Sequence, residues 1–170
     1  ILDSDVIFKP NLINQYLEYL TDDVVMVTPN VLQNIKCKMF DESQDSYYDS
    51  FALIDKYDHH GMTWASNPFF HHSDRKLWEE KKAVEVKSAF GGCPLIKTFA
   101  LNQVQWSTDG GCEHWNFCRD IRQYGQIIVV PTVKVRVELE NRVIDSLNAT
   151  HVFTVVEKQK QFFQLCNITL

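Results

Sequence analysis

Two acidic side chains stand one residue apart near the start of the chain, in Leu2-Asp3-Ser4-Asp5-Val6. Apolar residues flank them, so the pair is expected at the end of a buried strand and the start of a loop. In open α/β sheets ligands bind beyond the carboxyl ends of the strands, and two carboxylates there can meet a divalent cation and the phosphates it carries. Hard divalent cations take oxygen ligands and often share them with substrate phosphates. An Asp-x-Asp pair also arises as a turn or a helix cap. It further opens the phosphatases that use an aspartyl nucleophile, but their later lysine and Gly-Asp-x-x-x-Asp pattern has no counterpart here.

A second constellation is Asp109-Gly110-Gly111-Cys112-Glu113-His114-Trp115-Asn116-Phe117-Cys118, followed by Gly125 and the β-branched run Ile127-Ile128-Val129-Val130-Pro131-Thr132-Val133-Lys134-Val135. Glu113 stands where a helix begins, so the helix dipole favours its carboxylate form and lowers its basicity unless burial offsets that effect.

The elements that must hold these residues follow from periodicity. Leu12, Ile13, Tyr16, Leu17 and Leu20 recur at helical spacing, which predicts a helix over residues 11–20. Val24 to Val27 reads as a short buried strand, with Thr28-Pro29-Asn30 as the turn after it. Residues 47–54 form a further extended candidate, and residues 55–70 a long loop, the kind of segment that is usually functional in a compact domain. A short helix is expected over residues 74–84, capped by Ser73 or Asp74. Gly91-Gly92 marks a turn or a close backbone approach between two apolar segments. Residues 112–124 read as a helix stopped by Gly125, and residues 126–139 as a long strand with an edge position or a bulge at Pro131. Beyond residue 141 the pattern weakens to a strand over residues 152–156 and a short helix over residues 158–166. Alternation of helix and strand indicates an α/β domain.

With 170 residues, 45% hydrophobic and 23% charged, the chain has the length and composition of one globular domain with a real core. Its net charge of -5 comes without a basic block, so nucleic acid and anionic membranes are not expected partners. An acidic protein that binds a diphosphate must recruit a cation to do so. The five cysteines lack the paired spacing of zinc or redox sites. Cys112 and Cys118 fall on different faces of their helix and are expected to be buried, inert thiols. His59-His60 and His71-His72 are adjacent imidazoles that cannot easily converge on one tetrahedral ion, which favours solvated loops over zinc. Asn148-Ala149-Thr150 and Asn167-Ile168-Thr169 are glycosylation acceptor patterns that would suit a secretory lumen; a cytoplasmic location is the other alternative.

Taken in order, Leu2-Asp3-Ser4-Asp5, Tyr48-Asp49-Ser50-Phe51, Gly91-Gly92-Cys93, the Glu113-to-Cys118 segment and Val129-Val130-Pro131 resemble the capsule-type mannosyltransferases of fungi and related glycosyltransferases of the GT-A fold. The likeness runs over residues 1–137. It implies a mixed sheet flanked by helices that binds a nucleoside diphosphate sugar and transfers its sugar to a glycan or glycoprotein hydroxyl. Residues 1–140 would then be the catalytic portion of the domain, beginning at the Asp-x-Asp strand with earlier strands missing, and residues 141–170 an extension packed on it. By the same resemblance Asp5 is a direct ligand of Mn²⁺ or Mg²⁺, and Asp3 reaches the metal or the ribose. Asp49, Ser50, Gly91 and Gly92 contact the donor. Glu113 is the general base or the group that orients the acceptor, helped by Asp109 or His114. Many metal-dependent relatives carry a histidine at the end of the late strand. This chain has Lys134-Val135-Arg136-Val137 there and no carboxylate until Glu138. Arg136 is accordingly assigned either to neutralising the diphosphate or to facing a surface carboxylate. Trp64, Phe69 and Phe70 are candidates for stacking on a sugar ring or for anchoring the loop to the core. The remaining alternatives are a non-catalytic relative that binds carbohydrate or nucleotide sugar, and the phosphatase.

Overall fold

The computed structural model describes residues 1, 6–7, 9–37, 42–63, 65–107 and 112–137. The chain divides into two compact units, Ile1–Gln33 with Asp45–Leu139, and Asn34–Gln44 with Glu140–Leu170. The first holds the elements considered below. In the second, the described residues are the end of one strand and the start of the next.

The elements in chain order are β1 (Val6–Ile7), α1 (Leu12–Leu17), β2 (Val24–Cys37), β3 (Glu42–Tyr47), β4 (Ile54–Asp55), α2 (His72–Glu79), β5 (Val84–Ser88), β6 (Leu95–Ile96), α3 (Thr98–Leu101), α4 (Glu113–Ile121), a 3₁₀ turn (Arg122–Tyr124) and β7 (Gln126–Val137). The strands form one mixed sheet in the order β3-β2-β7-β5-β4, with β1 added to β7 and β6 to β2. β2 and β7 run parallel, and β5 is antiparallel to β7. The domain is therefore mixed α/β, with few and short helices.

β7 is the spine of the sheet, and its burial records what covers it. Ile127 to Pro131 are all buried, whereas beyond Pro131 the strand alternates, with Val133, Val135 and Val137 inside and Thr132, Lys134 and Arg136 outside. The change of pattern means two covered faces at the start of the strand and one at its end. β5 lies beside the first half (Val84 opposite Val129, Val86 opposite Ile127), and β1 beside the last residues (Val6 opposite Val137).

Three expectations change. β2 does not turn at Thr28-Pro29-Asn30; it continues to Cys37. The β2–β7 register shifts between Pro29, opposite Val130, and Asn30, opposite Lys134, so β7 bulges at Pro131. Neither proline can donate to a ladder. Side chains bridge the defect: Asn30 Nδ2 donates to the Pro131 carbonyl (3.3 Å) and Thr28 Oγ1 to that of Ile128 (3.1 Å). The first helix is shorter than expected, Leu12–Leu17, and is pinned by Tyr16, whose buried hydroxyl donates to the Cys93 carbonyl. The third change is α2, which starts earlier than expected and is capped by His71, whose ring nitrogen accepts from Ser73 N–H (3.4 Å). Residues 152–166 lie outside the described residues. No helix among the described residues is long and apolar enough to cross a membrane.

Candidate functional site

Asp3, Asp5, Asp109 and Glu138 lie outside the described residues, as does Trp64. The other residues singled out in the sequence fall into two places.

The first is built from three distant segments. Where an extended segment over residues 47–54 was expected, β3 ends at Tyr47 and the chain turns, with Leu53 N–H donating to the Asp49 carbonyl (3.2 Å). Gly61 lies directly beneath this turn. A Cβ there would sit 2.8 Å from Ser50 O, which leaves no room for a side chain. The turn presents the Asp49 carboxylate to the Gly91 N–H (2.6 Å), and the amides of Ala52 and Phe90 also point at it. Burial raises the Asp49 pKa; the amides and the nearby His114 pull the other way without cancelling the shift.

Gly91 and Gly92 follow β5 with φ of 66° and 64°, a conformation that suits glycine. A Cβ on Gly91 would meet the Pro29 ring at 3.2 Å and Val31 at 3.4 Å. The close approach read from the glycine pair is thus, at Gly91, an approach to β2.

The third segment is the start of α4. Phe117, Cys118 and Ile121 are buried and fix this helix, which packs on β5. The Cys118 thiol donates to the Ala89 carbonyl (3.5 Å), and burial pushes its pKa up to about 11. Glu113 opens the helix. The His114 ring stacks on Phe90 (4.4 Å between centroids, 19° between planes), with Glu113 Oε1 3.9 Å from its Nε2 and Cys112 Sγ 3.6 Å from its Nδ1. Trp115 Nε1 donates to the Phe51 carbonyl (3.1 Å). Residues 48–51, 90–92 and 113–115 therefore meet, and Asp49, Ser50, Gly91, Gly92, Glu113 and His114 belong to one region of the fold, with Ser50 and both glycines buried and Glu113 exposed. Cys112, expected to be buried, is only half-buried.

The second place is Arg136. Its guanidinium forms a fork with Asp45 on β3, 2.9 and 2.7 Å to the two carboxylate oxygens. This is the carboxylate-facing arrangement.

The histidine pairs separate. His59 Nδ1 lies 3.0 Å from the buried Asp55 carboxylate, which also accepts from the amides of Tyr57 (2.8 Å) and His59 (2.9 Å) and so organises the long loop. His60 turns to Phe51 and Trp115 instead. Among the described residues no three His, Cys, Asp or Glu side chains are grouped to hold a metal ion. Phe69 is fully buried, edge-on to Trp78 (5.4 Å), and so anchors the loop to the core; Phe70 borders His59 (5.0 Å). Sequence reasoning passed over the grouping of Phe51, His60 and Trp115. The available signal was the aromatic residue closing Tyr48-Asp49-Ser50-Phe51.

No protein-family model matches the sequence, and no curated protein matches it.

Proposed function

We propose that the chain carries the site of a GT-A type glycosyltransferase, moving a sugar from a nucleoside diphosphate donor to a hydroxyl of a glycan or glycoprotein. One observation carries the reading: the Asp49–Phe51 turn, the Gly91–Gly92 turn and the Glu113–Trp115 helix start, far apart in the chain, come together through the Asp49–Gly91 hydrogen bond, the Phe90–His114 stack and the Trp115–Phe51 hydrogen bond. These are the segments on which the resemblance rests. An accidental likeness would give no reason for them to meet in the fold.

In this reading Glu113 takes the proton of the acceptor hydroxyl as it attacks the sugar, or orients that hydroxyl. His114, held flat against Phe90, orients the Glu113 carboxylate, and Asp109 precedes Glu113 by four residues in the sequence. Asp49 fixes the glycine turn, so that turn and Ser50 can face the donor without reorganising. A divalent cation, Mn²⁺ or Mg²⁺, would be held by Asp3 and Asp5, in the chain just before β1. When bound, it supplies electrostatic stabilisation of the departing diphosphate. Arg136 is engaged by Asp45, which leaves the diphosphate charge to the cation.

Asp5→Asn tests the reading. Metal-dependent release of nucleoside diphosphate should be lost in this variant of the full chain, and undiminished release would overturn the assignment. Donor binding with no turnover in the unaltered protein would make it a non-catalytic relative. Rapid metal-dependent hydrolysis of simple phosphate esters would favour the phosphatase.

A further inference from the structure

Phe51 is 67% exposed, the most exposed of the large hydrophobic side chains among the described residues. It is held in place all the same. Its ring lies 5.0 Å from that of Trp115 at 37° and 6.4 Å from that of His60 at 17°, and His60 and Trp115 are themselves 5.2 Å apart. The Trp115 indole N–H is fixed on the Phe51 carbonyl (3.1 Å), and His60 is tied by a backbone bridge to Ile54. Leaving so much of an aromatic ring in water forfeits the benefit of burying it, and the anchoring beneath it spares little ring motion to compensate.

The three rings form a small cluster in which Phe51 is inclined by 17° to His60 and by 37° to Trp115, and His60 and Trp115 by 51° to each other. The His60 imidazole belongs to the cluster itself. Ser50, beside Phe51 in the turn, is buried. A partner helix or strand needs a broad apolar surface, and Phe51 is the only one of the three rings counted among the exposed large hydrophobic side chains of the described residues. A pyranose ring suits such a cluster better: one face presents C–H bonds to an aromatic plane, and its rim presents hydroxyls to the His60 imidazole.

We propose that Phe51, His60 and Trp115 form a stacking platform for a hexopyranose ring of the acceptor. The proposal rests on the transferase reading and narrows it to acceptors that end in a hexopyranose.

Saturation-transfer NMR on the full chain with methyl α-mannopyranoside, methyl β-glucopyranoside and methyl β-galactopyranoside tests it, with neither nucleotide donor nor metal present. At least one of these sugars should receive saturation at its ring C–H protons. Phe51→Ala should weaken its binding about tenfold, the factor expected for loss of one ring contact, and Ile13→Ala, at another exposed hydrophobic position, on α1, should leave it unchanged. Phe51 is mostly in water, so its truncation spares the core. Equal binding by the Phe51→Ala and unaltered chains overturns the platform, as does failure of all three sugars to bind. Because donor and cation are absent, either result is distinct from a failure of donor cleavage, which bears on the transferase reading alone.

Discussion

The Asp49 carboxylate receives backbone amides from Gly91, Ala52 and Phe90 and is still harder to ionise than a solvated aspartate, because burial outweighs them. A carboxyl whose folded-state pKa is raised favours the native state while protonated. That contribution is complete below the ordinary aspartate range and is lost as pH rises through the raised value. Asp49→Asn keeps an acceptor for Gly91 and cannot ionise. Its melting temperature relative to the unaltered protein should therefore climb as pH rises from 3 across that window and then level off, as thermal melts at a series of pH values would show; a fixed difference at every pH would contradict the assigned burial. The cysteines give a second residue-scale prediction. Cys112 is half-buried beside His114, whereas Cys93 and Cys118 are buried and the Cys118 thiol is pushed up to about 11. Iodoacetamide at neutral pH should label Cys112 and, among these three, leave the other two untouched until the protein unfolds, as peptide mass spectrometry would show. Asp49, Gly91, Glu113 and His114 could be picked from the sequence by type and order alone. The cluster of Phe51, His60 and Trp115 could not, because it exists only after a turn and a helix 64 residues apart have met.

At the level of elements, the longest strands show what a sequence hides. Thr28-Pro29-Asn30 has every local mark of a turn, yet β2 passes straight through it. The reason lies across the sheet: Pro131 interrupts β7 at the same level, and the Asn30 amide bonds to the Pro131 carbonyl across the break. No local rule pairs two prolines 102 positions apart. The bulge at Pro131 and the helix stop at Gly125, by contrast, follow from the residues themselves. Gly125 has φ of 151° and lies against the chain before β2, where a Cβ would come within 2.7 Å of Asp23 O, a backbone atom that cannot swing aside. Gly91 has φ of 66° and its nearest prospective contact is a proline ring atom at 3.2 Å. Both substitutions to alanine should destabilise, Gly91→Ala by about 1–2 kcal/mol and Gly125→Ala by more, since strain and a backbone clash coincide there. Urea denaturation of the two variants checks the order, and a Gly125→Ala protein as stable as the Gly91→Ala one would contradict it.

For the molecule as a whole, the expectation of a mixed sheet with helices follows from alternating apolar segments, and the sheet order does not. β7, near the end of the described chain, lies at the centre between β2 and β5, and β1 joins its far end. Such pairings are set by which apolar faces cover one another, information spread over the whole sequence. The same arrangement brings the Asp49 turn, the glycine turn and the start of α4 together in a protein with net charge -5, which would need a cation to hold a diphosphate. The most direct measurement is release of nucleoside diphosphate from UDP- and GDP-sugars by the full chain in the presence of a hexopyranoside acceptor, with and without Mn²⁺ or Mg²⁺, for the unaltered protein and for Glu113→Gln. Release from at least one donor, dependent on the cation and lowered on the order of 100-fold by Glu113→Gln, is the expected result. No release from any donor, or equal rates with and without the Glu113 carboxylate, would contradict it.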